Sequence, residues 1–334
     1  MASARKTATN ENISTYGVSR NYTSFATWEA ATDIDLVTGA QSEVLECYDD
    51  AASFAEGNVT FGGATVNTSY FRIVRPASGN RHDGTPNNGF TIVYTGDTNG
   101  LTLSEQYFCL EDLIYIHNVN SATLRIAIVP TSSNVFVTGM LVKATNAGTG
   151  GARGYQPSNT AQGRYFIDCL AYECKDYGFF FNSGATKIDY AYNCTAYNCG
   201  AGFYGFANTG GTVVLTNCLS TANTGADFAR SAAGVTMTVT YCASEDATAD
   251  DWGGAGNRIS QTFTFVNTAT DDYHLGSADA GAKDYGTDLS GTFDDDIDFV
   301  VRTGSWDIGF DEYVSAGGTV VKDFIMSGFI PFAR

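Results

Sequence analysis

The acidic residues near the C-terminal end are the first candidates for chemistry. Asp294-Asp295-Asp296-Ile297-Asp298 places four carboxylates in five residues, close to Gly291. Hard cations such as Ca²⁺ are held by several oxygen ligands of this kind. Asp294, Asp295, Asp296 and Asp298 are therefore a candidate calcium site. The EF-hand spacing and an internal glycine are missing, so a solvated acidic turn is the plainer expectation. From Asp271 to Glu312 the chain carries 12 acidic and 2 basic residues. Further acidic pairs stand at Asp49-Asp50, Asp250-Asp251 and Asp271-Asp272. The three histidines, His82, His117 and His274, are scattered without a metal-binding spacing and read as ordinary wall or turn residues.

The cysteines behave differently. Six of the eight fall between Cys169 and Cys242, in no CxxC or zinc-ribbon arrangement. Cys169, Cys194, Cys218 and Cys242 are instead 25, 24 and 24 residues apart. Phe180, Tyr204, Phe228 and Trp252 follow at steps of 24, and Gly178, Gly202 and Ala226 keep the same step. Tyr172 and Cys174 recur as Tyr197 and Cys199. Two independent ladders at one period indicate an internal repeat. A period in the low twenties suits one coil of a parallel β-helix, whose strands stack on the next coil at about 4.8 Å. The expected fold is therefore all-β, a right-handed parallel β-helix. The thiols read as buried and reduced, with disulfides between coils as the alternative. The aromatic ladder reads as core, with an outward sugar-stacking stripe as the alternative.

The elements that must carry these ladders are short strands. Tyr165 to Leu170, Lys187 to Cys194, Val213 to Cys218 and Thr236 to Cys242 are rich in Val, Thr, Tyr and Ile. Asn193 and Asn217 before a Cys, and Asn198 and Asn223 after one, mark turns. Earlier strand candidates are Glu43 to Tyr48, Tyr70 to Arg75, Phe90 to Thr95, Tyr107 to Tyr115, Leu124 to Val129 and Val135 to Ala144. The Gly-rich stretch between Thr145 and Gly163 reads as a long insertion with a role in contacts. Ser24 to Leu36 is the one helical pattern, with Thr23 or Ser24 as cap and Phe25, Trp28 and Ala31 as its apolar stripe. The predicted organisation is an N-terminal arm over 1–22, a cap over 23–42, the β-helix over 43–270, and a C-terminal cap with an apolar tail over 271–334. Trp306, Ile308 and Phe310 alternate as a final strand there.

Composition narrows the function. With 37 Gly, 5 Pro and 16% charged residues in 334, the chain suits many tight turns rather than helical bundles. A net charge of −18 repels phosphates and argues against a nucleic-acid partner. Met1 to Thr15 lacks the apolar core of a secretory signal, and no stretch approaches the roughly 18 apolar residues of a membrane span. Folding in a cytoplasm is the expectation.

Two segments carry a resemblance. YTSFATWEAATDIDL, followed by EVLECYDD and by RHDG at Arg81 to Gly84, resembles the opening of β-helix proteins of tailed phages and viral metagenomes. DYHLGSADAGAKDYGTDLSG, continuing to GSWDIGFDEY, is similar to the closing module of many right-handed β-helix proteins. That module's Ser-Pro-Ala-Ile-Asp-Ala-Gly core stands here as Ser277-Ala278-Asp279-Ala280-Gly281, without the Pro and Ile. The resemblance implies a structural virion protein, a capsid decoration or a tail spike or fibre, made in the host cytoplasm. It also implies other virion proteins and a host glycan as partners.

The alternative is a polysaccharide lyase or hydrolase, or a carbohydrate-binding β-helix. The pectin-hydrolase pattern needs a Gly-His-Gly and an Arg-x-Lys, and this chain has neither. Lyases need a Lys or Arg base beside a carboxylate cluster, yet Lys175 and Lys187 are the only lysines in the regular coils. No catalytic residue is assigned. At the chain's end, Phe324, Ile325, Phe329, Ile330 and Phe332 are too apolar for a solvated tail. They are expected to dock on another subunit, as in a trimer, or on another virion protein. The basic arm, with Arg5, Lys6 and Arg20 against Glu11 alone, is expected to lie on an acidic neighbour.

Overall fold

In a computed structural model the described residues are 4–157, 163–184, 186–200, 204–230 and 234–315. They form a right-handed parallel β-solenoid of about eight turns. Three parallel sheets make its walls, one of nine strands and two of seven. The first sheet begins with Glu11–Tyr16 and ends with Thr236–Thr240; the second runs from Thr91–Thr95 to Ala243–Ser244; the third runs from Val59–Phe61 to Phe228–Arg230.

The alternation inward-apolar, outward-polar sets each strand's register. Tyr165 pairs with Tyr190, then Val214, then Thr238, at steps of 25, 24 and 24. Earlier coils are longer, with Phe136 pairing Tyr165 at 29 and Ile73 pairing Cys109 at 36. This unevenness hides the repeat in the first half of the sequence.

One corner is built identically through six coils. Asp112, Gly139, Asp168, Asn193, Asn217 and Tyr241 all have φ between 50° and 62°, and each lies between a strand of the first sheet and one of the second. The left-handed backbone turns the chain within a residue or two, which Gly, Asn and Asp tolerate best. The next residue in every coil points into the bore: Leu113, Met140, Cys169, Cys194, Cys218 and Cys242, each fully buried. The cysteine ladder is thus the last four rungs of a six-rung apolar ladder. All eight cysteines are buried and free.

The aromatic ladder differs from the 24-residue expectation. Tyr155, Phe179, Phe206 and Phe228 stack in the bore at ring separations of 4.5, 4.7 and 5.3 Å, within 10° of parallel. Phe180 is buried against Tyr177 and under the Arg153 guanidinium, 3.8 Å from its ring, outside the main core. Tyr204 is only half-buried, and Trp252 packs at the end of the core. The third sheet pairs Phe179 with Phe206 and Phe206 with Phe228, steps of 27 and 22. A long coil followed by a short one returns Phe228 to the average period, so equal spacing did not mean equal position.

Three other expectations change. The Gly-rich stretch is not an insertion: Ala152–Tyr155 is a wall strand of the third sheet, and Tyr155 is a rung of the aromatic stack. The solenoid strands run from Glu11 to Ser244 rather than from 43 to 270. The chain beyond Arg258 covers the side of the solenoid more than its end. Tyr273 and Phe310 pack on Ile114, Leu141, Leu170 and Tyr172 of the second sheet's outer face. Ile308 and Phe310 are buried there and Trp306 on Ile167 of the first sheet, and the three do not form a strand. Caps exist at both ends. Ser24 caps a helix, Phe25–Thr32, whose Phe25 and Trp28 plug the bore, while Ala249 and Trp252 close the other end.

Candidate functional site at the strapped corner

The left-handed corner is where the chain's two outer segments meet. The arm at residues 4–8 lies on the first sheet, and the segment 258–315 runs as a strap over the corner and the second sheet. The Ala4 N–H donates to Asp295 at 2.8 Å. Arg5 donates to Asp112 at 2.8 and 3.0 Å and to the Asp296 carbonyl at 2.9 Å. It also stands 3.3 Å from Asp295 and 3.7 Å from Asp168. The Lys6 ammonium sits 4.0 Å over the Phe136 ring, while the Lys6 backbone N–H donates to Glu111. Arg5 of the basic arm is thus paired within its own chain. Arg20 likewise pairs with Asp50.

Arg302 is the second buried guanidinium of the corner. It donates to the carbonyls of Asp307 and Gly309 and to Glu312, and lies 3.6 Å from Asp168. Arg5 and Arg302 therefore share Asp168, itself fully buried on a left-handed rung. Burial pushes the Asp168 carboxyl well up, and the two guanidiniums oppose that. Asp112 ends below its ordinary value because Arg5 and Arg81 outweigh the effect of burial. Glu111 is pushed up to about 7, by burial first and then by Asp112.

The strap's acidity has a backbone explanation. With little regular structure, its buried N–H groups need other acceptors. Asp279 accepts from Thr264, Gly281, Ala282 and Lys283; Asp296 from Asp298, Val300 and Glu312; Asp307 from Asp284 and Tyr313; Asp311 from Leu275. This puts the four residues of the candidate calcium site to different uses. Asp296 points into the strap, Asp295 holds the arm, and Asp294 is half-exposed. Neither a converged calcium cage nor a solvated turn describes them.

Asp298 hydrogen-bonds the Asp296 side chain and also faces His274. One of its oxygens lies 3.9 Å from His274 Nε2. His274, Asp298 and Asp311 can each offer one ligand atom, no more than 4.8 Å from the others. His274 Nδ1 is 2.7 Å from Asp272. Burial pulls the imidazole down, but Asp311, Asp298 and Asp272 overcome it and hold it up at about 9. Sequence reasoning had treated His274 as an ordinary turn residue. The Asp271-Asp272-x-His274 spacing was the only local signal, and its partners lie over 20 residues away.

A cleft of about 510 Å³ opens beside this cluster, with Arg81, His82, Asp83, Asn88, Asp298, Phe299, Asp49 and Asn80 among its lining. Phe299, at φ 68°, is held between the guanidiniums of Arg5 and Arg81, at 4.3 and 4.5 Å. His82 Nε2 is 2.6 Å from the Gly139 carbonyl, and its Nδ1 accepts the Gly84 N–H. The ring is therefore neutral, and burial lowers its pKa further. His117 is buried against Tyr94 on the second sheet, away from both clusters, and burial pulls it to about 4. Phe324, Ile325, Phe329, Ile330 and Phe332 lie outside the described residues.

No family model matches this chain, and no curated protein does. Among solved structures, the crystal structure of pectate lyase Pel9A is similar, with a TM-score of 0.49 and 16% identity, over 92% of this chain and 98% of that chain. The likeness is one of fold alone, and nothing about activity follows from it. No helix among the described residues is long and apolar enough to cross a membrane.

Proposed function

We propose that the chain is a structural β-helix of a tailed-phage virion, a capsid decoration or a tail spike or fibre, and that its cleft contacts a host-surface glycan. The observation that carries the structural part is the strapped corner. Arm, strap and the rungs at Asp112 and Asp168 are locked together through Arg5 and Arg302. Such bracing resists bending and shear, which suits a load-bearing element. The segments at the opening and at Ser277 to Gly281 that resemble phage and other β-helix proteins lie in the plug and strap of this same assembly.

The glycan part rests on the cleft lining. Asp49, Asp83 and Asp298 accept hydrogen bonds, and Asn80 and Asn88 both donate and accept, matching sugar hydroxyls. The same carboxylates keep a carbohydrate-cleaving reading open as the alternative. Phe324 to Phe332 keep their proposed role in self-association, as a trimer, or in docking on another virion protein.

The test is a mass-spectrometric inventory of purified particles, paired with a panel of acidic and neutral polysaccharides. The structural reading expects the protein at stoichiometric abundance and no new reducing ends or unsaturated products. Its absence from particles, with turnover lost in Asp49→Asn, would replace it with the enzyme. Deleting 320–334 is expected to lower the mass seen by light scattering. A full-length monomer would remove the self-association.

A further inference from the structure

The corner holds a histidine whose free nitrogen has no hydrogen-bond partner. His274 Nε2 and Asp298 Oδ1 are both buried and unpartnered among the described residues. Asp272 takes Nδ1, so Nε2 is the nitrogen left to face Asp298 and Asp311. Asp311, 4% exposed, accepts the Leu275 N–H with one oxygen, and no other hydrogen bond to its carboxylate is found among the described residues. The nearest guanidinium does not fill the gap: Arg302 reaches the Asp311 carbonyl, not its carboxylate. Gly84 closes the other side. A Cβ there would sit 2.1 Å from Nε2, so a side chain at 84 would displace the ring.

We propose that His274, Asp298 and Asp311 bind one divalent transition-metal ion, Zn²⁺ or Mn²⁺, with Asp272 orienting the imidazole. A carboxylate on the far nitrogen of a liganding histidine fixes its tautomer and raises its basicity. One imidazole with two carboxylates favours such an ion over Ca²⁺, which takes six to eight oxygens. Ligands about 2.1 Å from one ion stand roughly 3 to 4 Å apart, which the 3.9 Å between Nε2 and Asp298 already meets. The ion ties the strand Asp272–Leu275 to the loop at 298 and 311, so it clamps the strap beside the cleft. Its role is structural, and water or a glycan oxygen from the cleft completes its shell.

The experiment uses untagged full-length protein, stripped with a chelator and then titrated separately with Zn²⁺, Mn²⁺ and Ca²⁺. Elemental analysis after desalting is expected to give one Zn²⁺ or Mn²⁺ per chain, and the melting temperature is expected to rise by several degrees at saturating ion. His274→Gln and Asp298→Asn should each weaken binding at least tenfold. Asp298 is the cleaner variant, since among the described residues no other residue's backbone N–H is found to donate to its carboxylate. Binding of Ca²⁺ alone, sub-stoichiometric metal, or unchanged binding in folded Asp298→Asn would overturn the site.

Discussion

The bore of the solenoid and its strapped corner are built from opposite chemistry. In the bore, like side chains stack on like: the rings of Tyr155, Phe179, Phe206 and Phe228, and the cysteines that follow the left-handed rungs. At the corner the contacts join unlike side chains. Arg5 and Arg302 meet carboxylates more than 100 residues away, and His274 meets others within the strap. The bore gains by burying apolar area in close packing, a term that involves no titrating group. The corner gains through paired charges, which stabilise only when every partner is present. The solenoid therefore resists global unfolding, while the strap is the part that conditions can loosen.

Four substitutions test this division. Phe206→Ala removes a fully buried ring stacked on both sides and should lower global stability by about 3 to 5 kcal/mol in urea denaturation. A change below about 1 kcal/mol would mean the stack does not organise the bore. Arg302→Ala leaves Asp168 and Glu312 short of a partner and should cost about 3 kcal/mol. That loss should appear as protease cleavage within 258–315 while the walls stay intact. Simultaneous cleavage of walls and strap would merge the two regions into one unit.

Glu111→Gln probes the charge of the corner. Glu111 faces Lys6 from the arm, Arg75 and Arg81 from neighbouring coils, Cys109 on its own strand and Asp112 at the corner that follows. Its folded pKa, about 7, exceeds the ordinary 4.5, so the folded state holds the proton more tightly. Its contribution to stability is therefore full below pH 4.5 and falls as pH rises to about 7. Melting curves from pH 5 to 8 should show the variant overtaking the parent, by about 2 kcal/mol at pH 8. Parallel curves would show that the carboxyl is not strained by burial. Tyr204→Ala should change stability least, by under about 1 kcal/mol, because that ring stands outside the stack. A larger loss would restore the evenly spaced aromatic ladder.

The same contrast explains what was legible in the sequence. The bore repeats residue types, so Cys194, Cys218 and Cys242 announced the coil and the fold class. Leu113 and Met140 occupy the same position but carry no type in common with cysteine. Phe180 and Tyr204 mimicked a ladder because a coil of 27 and one of 22 average near 24. The corner contacts were invisible for a different reason. Arg5 and Arg302 each occur once, and their partners are set by how the strap folds back over the solenoid, which no period encodes. The acidity of the strap was visible, but its cause, carboxylates accepting from irregular backbone, needed the contacts themselves.

Native-state hydrogen exchange across the whole chain tests the central division most directly. Amides of the walls, such as Leu215 and Val239, should exchange only through global unfolding. Amides of the strap from Asp296 to Phe310, together with Ala4, should exchange through a separate opening of lower free energy, and Arg302→Ala should lower that opening further while leaving the walls unchanged. A single protection level shared by walls and strap, falling together in the variant, would contradict the account.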